Sequence, residues 1–387
     1  MEARFECCAS VEPVSEAAMR FGVLGLGSVF YGPYMGMIER LAANGRARVT
    51  AVYDIDEGKR RAAGARLDLD PGLSRPEAVI ESDDVDVVLV LTSMNEHGPL
   101  AIAALEAGKH VLVEKPMATS LEQAAALVQL AAESPGHLIC APHILLAPTY
   151  RRVLGRVEAG EIGRLLLARA RYGWSGPDWG RWFYERGGGA LFDLGVYNVT
   201  ALCGLFGRAQ RVTAMAGVAI PERIVEGEVV RVEAEDNAQV LIDFGDARFA
   251  SVTTGFTMQK YRSPAIELYG SDGVLQMLGD DWAPEGYELW RNSSGSWELF
   301  PESDPGWQWT EGLRHLVDCI EQDREPVIRP EHAYHALEIM LAAKAAAADG
   351  RAREITSDFP RPVYSTVELR LGGHRVHDPR STLIQGG

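Results

Sequence analysis

The chain has 387 residues and a formal net charge of −16, with 47% hydrophobic and 24% charged residues. This length and composition predict a globular protein of two domains, and the acidic balance argues against a nucleic-acid partner or an anionic membrane surface. No apolar run approaches the roughly 18 residues of a membrane helix. The five cysteines are odd in number, scattered and outside any metal-like cluster, which favours a reduced, cytoplasmic setting and no metal site.

The order of predicted elements divides the chain into three parts. Residues 1–18 precede any periodic pattern and lack the features of a secretory signal, so we interpret them as a disordered extension. Over residues 19–143 strands alternate with helices, which predicts an α/β Rossmann domain with a doubly wound parallel sheet. Residues 144–387 predict an α+β domain with a large, mostly antiparallel sheet.

The first predicted strand, residues 20–24, leads into Gly25-Leu26-Gly27-Ser28-Val29-Phe30. This is the strand-to-helix turn of a dinucleotide-binding unit, although Phe30 replaces its third glycine. Gly25 permits the tight turn, and Gly27 lets the backbone approach a pyrophosphate. Ser28 and Val29 then begin the helix whose N-terminus would hold that group.

The second predicted strand, residues 48–53, ends at Asp54, about where the motif expects a carboxylate that binds a ribose. The alternative is that Asp54 caps a helix predicted over residues 55–67. A carboxylate in the ribose site favours NAD over NADP, because it repels the additional phosphate of NADP. We interpret the basic residues 59–61 as a solvated helix face.

Next come a short helix over residues 76–81, a strand over 86–91, a loop over 92–97 and a helix over 99–107. The run from His110 to Lys115 then reads as a buried strand that Pro116 ends, so Glu114 and Lys115 lie at the carboxyl edge of the sheet. A lysine held there beside a cofactor can bind a hydroxyl oxygen and pass a proton. The alternative is a surface ion pair.

The first domain resembles the glucose-fructose oxidoreductase, inositol dehydrogenase and MocA family in the order of its motifs. The matching positions are Thr92, His97, Gly108-Lys109-His110-Val111 and Glu114-Lys115-Pro116. The chain departs from the family's Thr-Pro-Asn-x-x-His loop at Ser93 and Met94. The resemblance implies that Thr92, His97, Glu114 and Lys115 contact the cofactor.

After a helix over residues 121–133 and a strand over 138–143, six aromatic residues fall within thirteen positions: Tyr172, Trp174, Trp179, Trp182, Phe183 and Tyr184. Two interpretations remain open. The rings either cover a sheet or a subunit contact, or they form a wall against which a sugar ring stacks, with Trp174 and Trp182 as the substrate-binding candidates.

A triple glycine, residues 187–189, precedes a predicted helix that carries Asp193 and Tyr197 on one face. We expect the glycines to let a ligand approach the backbone. The family has a histidine where this chain has Tyr197, and some of its branches carry tyrosine there. The alternative is a core tyrosine with Asp193 as its satisfied partner.

Beyond residue 211, strands are predicted over 229–234, 238–244, 247–255 and 265–269, and helices over 308–322 and 331–347. The resemblance implies that the free face of this sheet forms a homodimer or homotetramer interface. His332 and His335, one turn apart, suggest a solvated helix face rather than a metal site. The tail after residue 360 predicts one more short strand.

Together with these features, the resemblance implies an NAD(P)-dependent oxidoreductase that transfers a hydride between the nicotinamide and a carbinol or ketone carbon of a sugar, polyol or related cyclic alcohol. Lys115 and Tyr197 would hold the hydroxyl and remove its proton, and Asp193 would orient the substrate or the lysine. The alternative is an enzyme that cleaves glycosides or eliminates groups with a recycled NAD. A non-catalytic regulator is disfavoured because Lys115 is present.

Overall fold

The computed structural model describes residues 18–70, 74–262, 264–280, 282–301 and 306–364. The predicted N-terminal extension lies outside these ranges except for residue 18, and the predicted tail strand lies largely outside them. Residues 361–364, the described part of that tail, form no strand.

The first domain contains a five-stranded parallel sheet in the order β2-β1-β3-β4-β5, as predicted. The strands β3, β4 and β5 are short apolar runs that are almost wholly buried, as expected of a parallel sheet with helices on both faces, whereas the edge strand β2 is partly exposed. The strands are β1 Met19–Leu24, β2 Ala47–Tyr53, β3 Val87–Val90, β4 His110–Val113 and β5 Leu138–Cys140. The helices are α1 Met35–Ala43, preceded by a π-helical turn Phe30–Tyr34, then α2 Glu57–Leu67, α3 Pro76–Ile80, α4 Met94–Glu106 and α5 Leu121–Glu133.

Two helices begin elsewhere than predicted, for identifiable reasons. Helix α2 begins after Asp56, whose carboxylate accepts hydrogen bonds from the N–H groups of Gly58 and Lys59 at 2.7 and 3.2 Å. Asp56 is therefore the cap, and the alternative that Asp54 caps this helix is wrong. Helix α4 begins at Met94, so most of the predicted loop over 92–97 is helical and Pro99 lies inside the helix.

The second domain is built on a nine-stranded sheet in the order β15-β14-β13-β12-β6-β11-β10-β7-β16. The prediction of a mostly antiparallel sheet is confirmed, since among the described strands of this sheet only β6 and β11 pair in parallel. The strands are β6 Leu165–Gly173, β7 Arg211–Gly217, β10 Asn237–Asp243, β11 Phe249–Gly255, β12 Ile266–Gly270, β13 Gly273–Asp280, β14 Ala283–Arg291, β15 Ser296–Phe300 and β16 Arg353–Glu354.

The strand predicted over residues 229–234 does not join this sheet. It pairs instead in a separate hairpin of β8 Glu222–Val225 and β9 Glu228–Arg231. Among the strands whose bounds are predicted from the sequence, none corresponds to β6, β7, β8, β13, β14, β15 or β16.

Helices α6 Pro148–Glu158, α7 Val196–Phe206 and α9 Pro330–Asp349 pack on one face of the large sheet. Helix α8 Glu311–Gln322 returns to the first domain and packs beside α1 and β4, while α9 touches both α5 and β7. The two domains therefore share helices from the end of the described chain. No helix in the described ranges is long and apolar enough to cross a membrane.

The expectation that His332 and His335 lie on a solvated helix face is wrong. Both rings are buried, because α9 is packed between other elements. His332 Nε2 donates to the carbonyl of Thr200 at 3.1 Å. His335 Nε2 accepts from the N–H of Ala209 at 3.0 Å, so its proton sits on Nδ1, which faces Ser357 Oγ at 2.7 Å.

These buried rings predict acid sensitivity. Burial lowers the pKa of His335 to about 4, and a proton on Nε2 would oppose the N–H of Ala209. An unfolded histidine titrates near pH 6.5, so the unfolded chain binds more protons between pH 6.5 and 4. The stabilisation that the neutral His335 ring gives is complete above pH 6.5. As the pH drops to 4, the free energy of unfolding falls by on the order of 3 kcal/mol.

We expect His335→Gln to flatten the pH dependence of the free energy of unfolding over this range, measured by urea titration at several pH values. Ser357→Ala is the comparison variant: it removes the hydrogen-bond partner of Nδ1 but leaves the His335 ring in place, so the free energy of unfolding should still fall steeply between pH 6.5 and 4. An unchanged slope in His335→Gln would contradict the assignment.

Candidate active site

The dinucleotide turn, residues 25–30, has an open cradle at its second glycine. A Cβ on Gly25, whose φ is +96°, would lie 2.5 Å from the carbonyl oxygen of Leu91, so the end of β1 packs directly on the end of β3. A Cβ on Gly27 would meet nothing within 4 Å. The helix begins at Ser28, which is exposed, and Val29 is half-buried. The open backbone at a helix N-terminus fits a pyrophosphate.

Asp54 lies at the end of β2, beside this turn. Its Oδ2 accepts from the N–H of Leu26 at 2.8 Å and its Oδ1 from the N–H of Asp56 at 2.9 Å. Each carboxylate oxygen keeps a second lone pair, so the group can still accept from two ribose hydroxyls. The Nζ of Lys59 lies 4.0 Å from Oδ2, but this lysine is half-exposed and such a pair is weak.

His97 joins the end of β3 to the turn after β4. Its Nδ1 faces the carbonyl oxygen of Pro116 at 2.8 Å and its Nε2 that of Thr92 at 3.1 Å. Burial lowers the pKa of His97, and the charge of Lys115 acts in the same direction. The neutral ring donates one hydrogen bond and is enclosed by its own chain. Its predicted contact with the cofactor, like that of Thr92, stays a prediction.

Glu114 follows β4 and is buried. Its Oε1 accepts from the hydroxyl of Tyr34 at 2.8 Å, and its Oε2 accepts from the N–H of Lys115 at 3.1 Å. Burial raises the pKa of Tyr34 well above its usual value and the charge of Glu114 adds to this, so the phenol remains a donor. Tyr34 was missed from the sequence, because a tyrosine in the first helix carries no signal beyond that of a core residue.

Lys115 from the first domain meets Asp193 from the second. The Nζ of Lys115 donates to Asp193 Oδ1 at 2.5 Å and to the Asp193 carbonyl at 2.8 Å. The two side chains are only 13% and 11% exposed. Lys115 is therefore a buried, paired cation at the carboxyl edge of the parallel sheet, and the alternative of a surface ion pair is wrong.

Tyr197 completes this cluster. It lies one helical turn after Asp193, where the π-helical turn Leu191–Gly195 runs into α7. The Nζ of Lys115 is 5.5 Å from its ring centroid, within the range of a cation–π contact. Tyr172 packs edge-to-face against the same ring at 5.6 Å. The structure thus brings Lys115, Asp193 and Tyr197 together, as expected.

The aromatic loop, residues 172–184, supports the covering interpretation for part of its length. Phe183 and Tyr184 are buried in a small core with Phe256, whereas Trp182 remains 37% exposed. Trp174 stacks on Trp179 and Trp182 stacks on Phe183. The covering role is therefore real for part of the loop. The substrate-binding roles of Trp174 and Trp182 stay predictions.

The triple-glycine turn, residues 187–189, serves a different purpose from the one expected. A Cβ on Gly188 would lie 2.4 Å from the carbonyl oxygen of Trp182, and one on Gly187 would lie 2.8 Å from the side chain of Asn95. On Gly189, with φ +109°, it would lie 2.3 Å from the carboxylate of Glu235. The space beside each glycine is filled by this protein's own groups rather than left for a ligand.

Chemically, the cluster offers an amine, a carboxylate and a phenol at the carboxyl edge of the parallel sheet, the edge at which open α/β sheets bind their ligands. The open dinucleotide turn and Asp54 face the same edge from β1 and β2. A dinucleotide cofactor fits these residues.

Comparison with known proteins also indicates a dinucleotide-binding domain followed by a second domain. Residues 19–140 match the oxidoreductase family with an NAD-binding Rossmann fold, and residues 150–276 match the GFO/IDH/MocA C-terminal domain. The chain is 28% identical to 1,5-anhydro-D-fructose reductase of Ensifer adhaerens, over 87% of this chain and 98% of that protein. It is 30% identical to dTDP-3,4-didehydro-2,6-dideoxy-alpha-D-glucose 3-reductase of Streptomyces violaceoruber, over 67% of this chain and 72% of that protein.

It is also 23% identical to scyllo-inositol 2-dehydrogenase (NAD(+)) of Bacillus subtilis strain 168, over 85% of this chain and 94% of that protein. Among solved structures, levoglucosan dehydrogenase in complex with NADH and levoglucosan shares the fold. Its TM-score is 0.77 at 19% identity, over 87% of this chain and 99% of that one. With both domains matched in order, the chain belongs to the glucose-fructose oxidoreductase, inositol dehydrogenase and MocA family of oxidoreductases.

Proposed function

We propose that this protein is an NAD-dependent oxidoreductase that transfers a hydride between the nicotinamide and a carbinol or ketone carbon of a sugar, polyol or related cyclic alcohol. The observation that carries the proposal is the buried contact of Lys115 Nζ with Asp193, beside the ring of Tyr197. The named relatives act on an anhydrofructose, an inositol and a deoxysugar nucleotide, which supports this substrate class.

Each part of the cofactor has candidate residues. Gly25, Gly27, Ser28 and Val29 would hold the pyrophosphate and Asp54 the ribose, while Thr92, His97 and Glu114 would contact the nicotinamide end. Bound NAD supplies the hydride acceptor, and the protein supplies binding, orientation and proton transfer. In the oxidising direction Lys115 Nζ and the Tyr197 hydroxyl would hold the substrate oxygen, and the substrate's proton would pass to Lys115 Nζ as that ammonium releases one of its own protons to the carboxylate of Asp193, 2.5 Å away. In the reducing direction they return it.

The remaining roles concern orientation. Asp193 fixes the direction of the Lys115 amine through two hydrogen bonds, one from its side chain and one from its carbonyl. Trp174 and Trp182 offer flat apolar faces to the substrate ring. A cytoplasmic location is part of the proposal, and it rests on the scattered spacing of the cysteines, of which Cys140, Cys203 and Cys319 are buried.

We expect the wild type to change the absorbance of the cofactor at 340 nm with one or more members of a panel of sugars, polyols and their keto forms. Lys115→Ala should lower kcat by about 10²–10⁴ with little change in the Kd of NAD, because it removes a group that acts on the reacting oxygen. Lys59→Ala, a half-exposed lysine of the same domain, is the control. Near-normal turnover in Lys115→Ala would make the Glu-Lys-Pro segment structural, and a transient absorbance change without net turnover would indicate a recycled cofactor.

The second prediction concerns cofactor choice. Two like charges a few ångströms apart near a surface cost on the order of 1–4 kcal/mol, so Asp54 should favour NAD over NADP by about one to three decades in Kd. The basic residues nearby do not offset this, since Arg60 donates to the Asp54 carbonyl at 2.7 Å and Lys59 and Arg61 are exposed.

We expect Asp54→Ser to narrow or invert the preference, measured by fluorescence titration with both cofactors. Asp56→Ser is the matched control: serine can still cap α2, so the preference should hold. Equal or tighter binding of NADP by the wild type would refute this role of Asp54.

The third prediction concerns assembly. Cross-strand pairing places Leu167, Met215, Leu241 and Phe249 on the uncovered face of the large sheet, where they are 39–82% exposed. Adjacent exposed apolar side chains on a sheet indicate an interface. We propose that this face joins copies of the chain into a homodimer or homotetramer.

In sedimentation at micromolar concentration, the wild type should therefore exceed the mass of one chain. The double variant Leu241→Glu with Phe249→Glu should sediment as a monomer. Ile224→Glu, at an equally exposed position on the separate hairpin, should leave the assembly unchanged. A monomeric wild type would contradict the proposal.

A further inference from the structure

Lys344 on α9 directs its amine at the triple-glycine turn. Its Nζ donates to the carbonyl of Gly188 at 3.0 Å and pairs with Glu235 Oε2 at 3.1 Å. The same nitrogen lies 3.8 Å from the ring centroid of Phe192, a close cation–π contact. Gly188 and Phe192 belong to the short segment that leads to Asp193, residues 187–192, and Glu235 binds the same segment.

Glu235 holds this segment from the other side. Its Oε1 accepts from the N–H of Leu191 at 3.3 Å, and its backbone carbonyl accepts from the N–H of Ala190 at 2.9 Å. Its carboxylate also occupies the space where a side chain on Gly189 would lie. The close approach of Glu235 is therefore a physical reason for glycine at position 189.

The pair is buried enough for its charges to matter. The side chain of Glu235 is 11% exposed and that of Lys344 is 25% exposed. Burial raises the pKa of Glu235, and the charge of Lys344 acts in the opposite direction. Removing one partner would leave the other as an unpaired buried charge, which shifts the backbone it holds.

The segment is connected to the active site by one helical turn. The N–H of Asp193 donates to the carbonyl of Gly189 at 3.0 Å, and Asp193 then binds Lys115 through both its carboxylate and its carbonyl. A displacement of Gly189 therefore moves the atoms that orient the Lys115 amine. A misplacement of a reacting group by about 1 Å can cost about 100-fold in rate.

We propose that Lys344 and Glu235 are positioning residues, a brace that holds the triple-glycine turn so that Asp193 meets the amine of Lys115. Neither touches the reacting atoms. The expected effect on kcat rests on the proposed function, whereas the orientation of Asp193 against Lys115 rests only on contacts within this chain.

The kinetic experiment compares Lys344→Met with Lys344→Arg, which restores the positive charge. We expect Lys344→Met to lower kcat tenfold or more, with KM and the Kd of NAD changed less than threefold, and Lys344→Arg to recover at least a third of the wild-type kcat. Glu235→Gln should resemble Lys344→Met and is the second variant if Lys344→Met does not fold. Arg353→Met, which breaks the ion pair with Asp349 near the far end of α9, is the matched control and should keep wild-type kcat.

A second readout does not depend on turnover. The rate at which an acetylating reagent modifies Lys115, followed by mass spectrometry of peptides, reports how firmly Asp193 holds its amine. We expect at least threefold faster modification of Lys115 in Lys344→Met and Glu235→Gln, with Lys59 unchanged and the wild-type rate in Lys344→Arg.

The outcomes separate the two proposals. Unchanged modification of Lys115 in folded Lys344→Met overturns the brace, whatever the activity. A fall in kcat that only follows the loss of folded protein, without recovery in Lys344→Arg, also overturns it. If the wild type acts on no substrate of the panel, the proposed function fails, while the modification rates still decide whether the brace holds Asp193 against Lys115.

Discussion

The ion pair between Lys115 and Asp193 is the contact on which the site depends, because it joins the two domains at the point where chemistry is expected. Lys115 reaches it from the carboxyl end of β4, and Asp193 from the π-helical turn before α7. Taking both charges out of water is costly, and it is offset only if their geometry is good and the remaining hydrogen bonds are satisfied. Much of the surrounding structure supplies that geometry.

On the first domain, the supports are buried polar contacts between strand ends. Glu114 accepts from Tyr34, and the His97 ring lies between the carbonyls of Thr92 and Pro116 and donates to one of them. These contacts fix the backbone on either side of Lys115. On the second domain, Glu235 and Lys344 enclose the turn that leads to Asp193. Both partners of the ion pair thus rest on groups that come from distant parts of the chain.

The sequence predicted the parts of this arrangement that depend on local patterns. Buried parallel strands are continuous apolar runs, so β3 and β4 were placed within one or two residues, and α5 within none. The Glu-Lys-Pro segment follows such a run, which put Lys115 at the correct edge. Asp193 and Tyr197 are four residues apart, and that spacing alone places them on one face.

The failures have a common physical cause, which is that burial of a helix or a glycine is decided by elements far away in sequence. His332 and His335 look like a solvated face because helical periodicity does not indicate how many sides a helix buries, and α9 is packed on both α5 and β7. The glycines at 187–189 suggested a ligand, yet the carboxylate that requires glycine at 189 belongs to Glu235. The sequence alone does not show that Glu235 forms an ion pair with Lys344, because the two residues are far apart along the chain.

Helix α9 makes long-range contacts that orient the active-site segment without taking part in the reaction. At its start, His332 and His335 bind the carbonyl of Thr200 and the N–H of Ala209, which flank the C-terminal end of α7. Further along, Lys344 binds the turn before the same helix. One helix therefore holds both ends of the segment that carries Asp193 and Tyr197, while its other side packs on the first domain. A change at one of these contacts between α9 and the segment acts on the orientation of the segment relative to β4, so residues remote from the substrate can alter kcat without touching the cofactor.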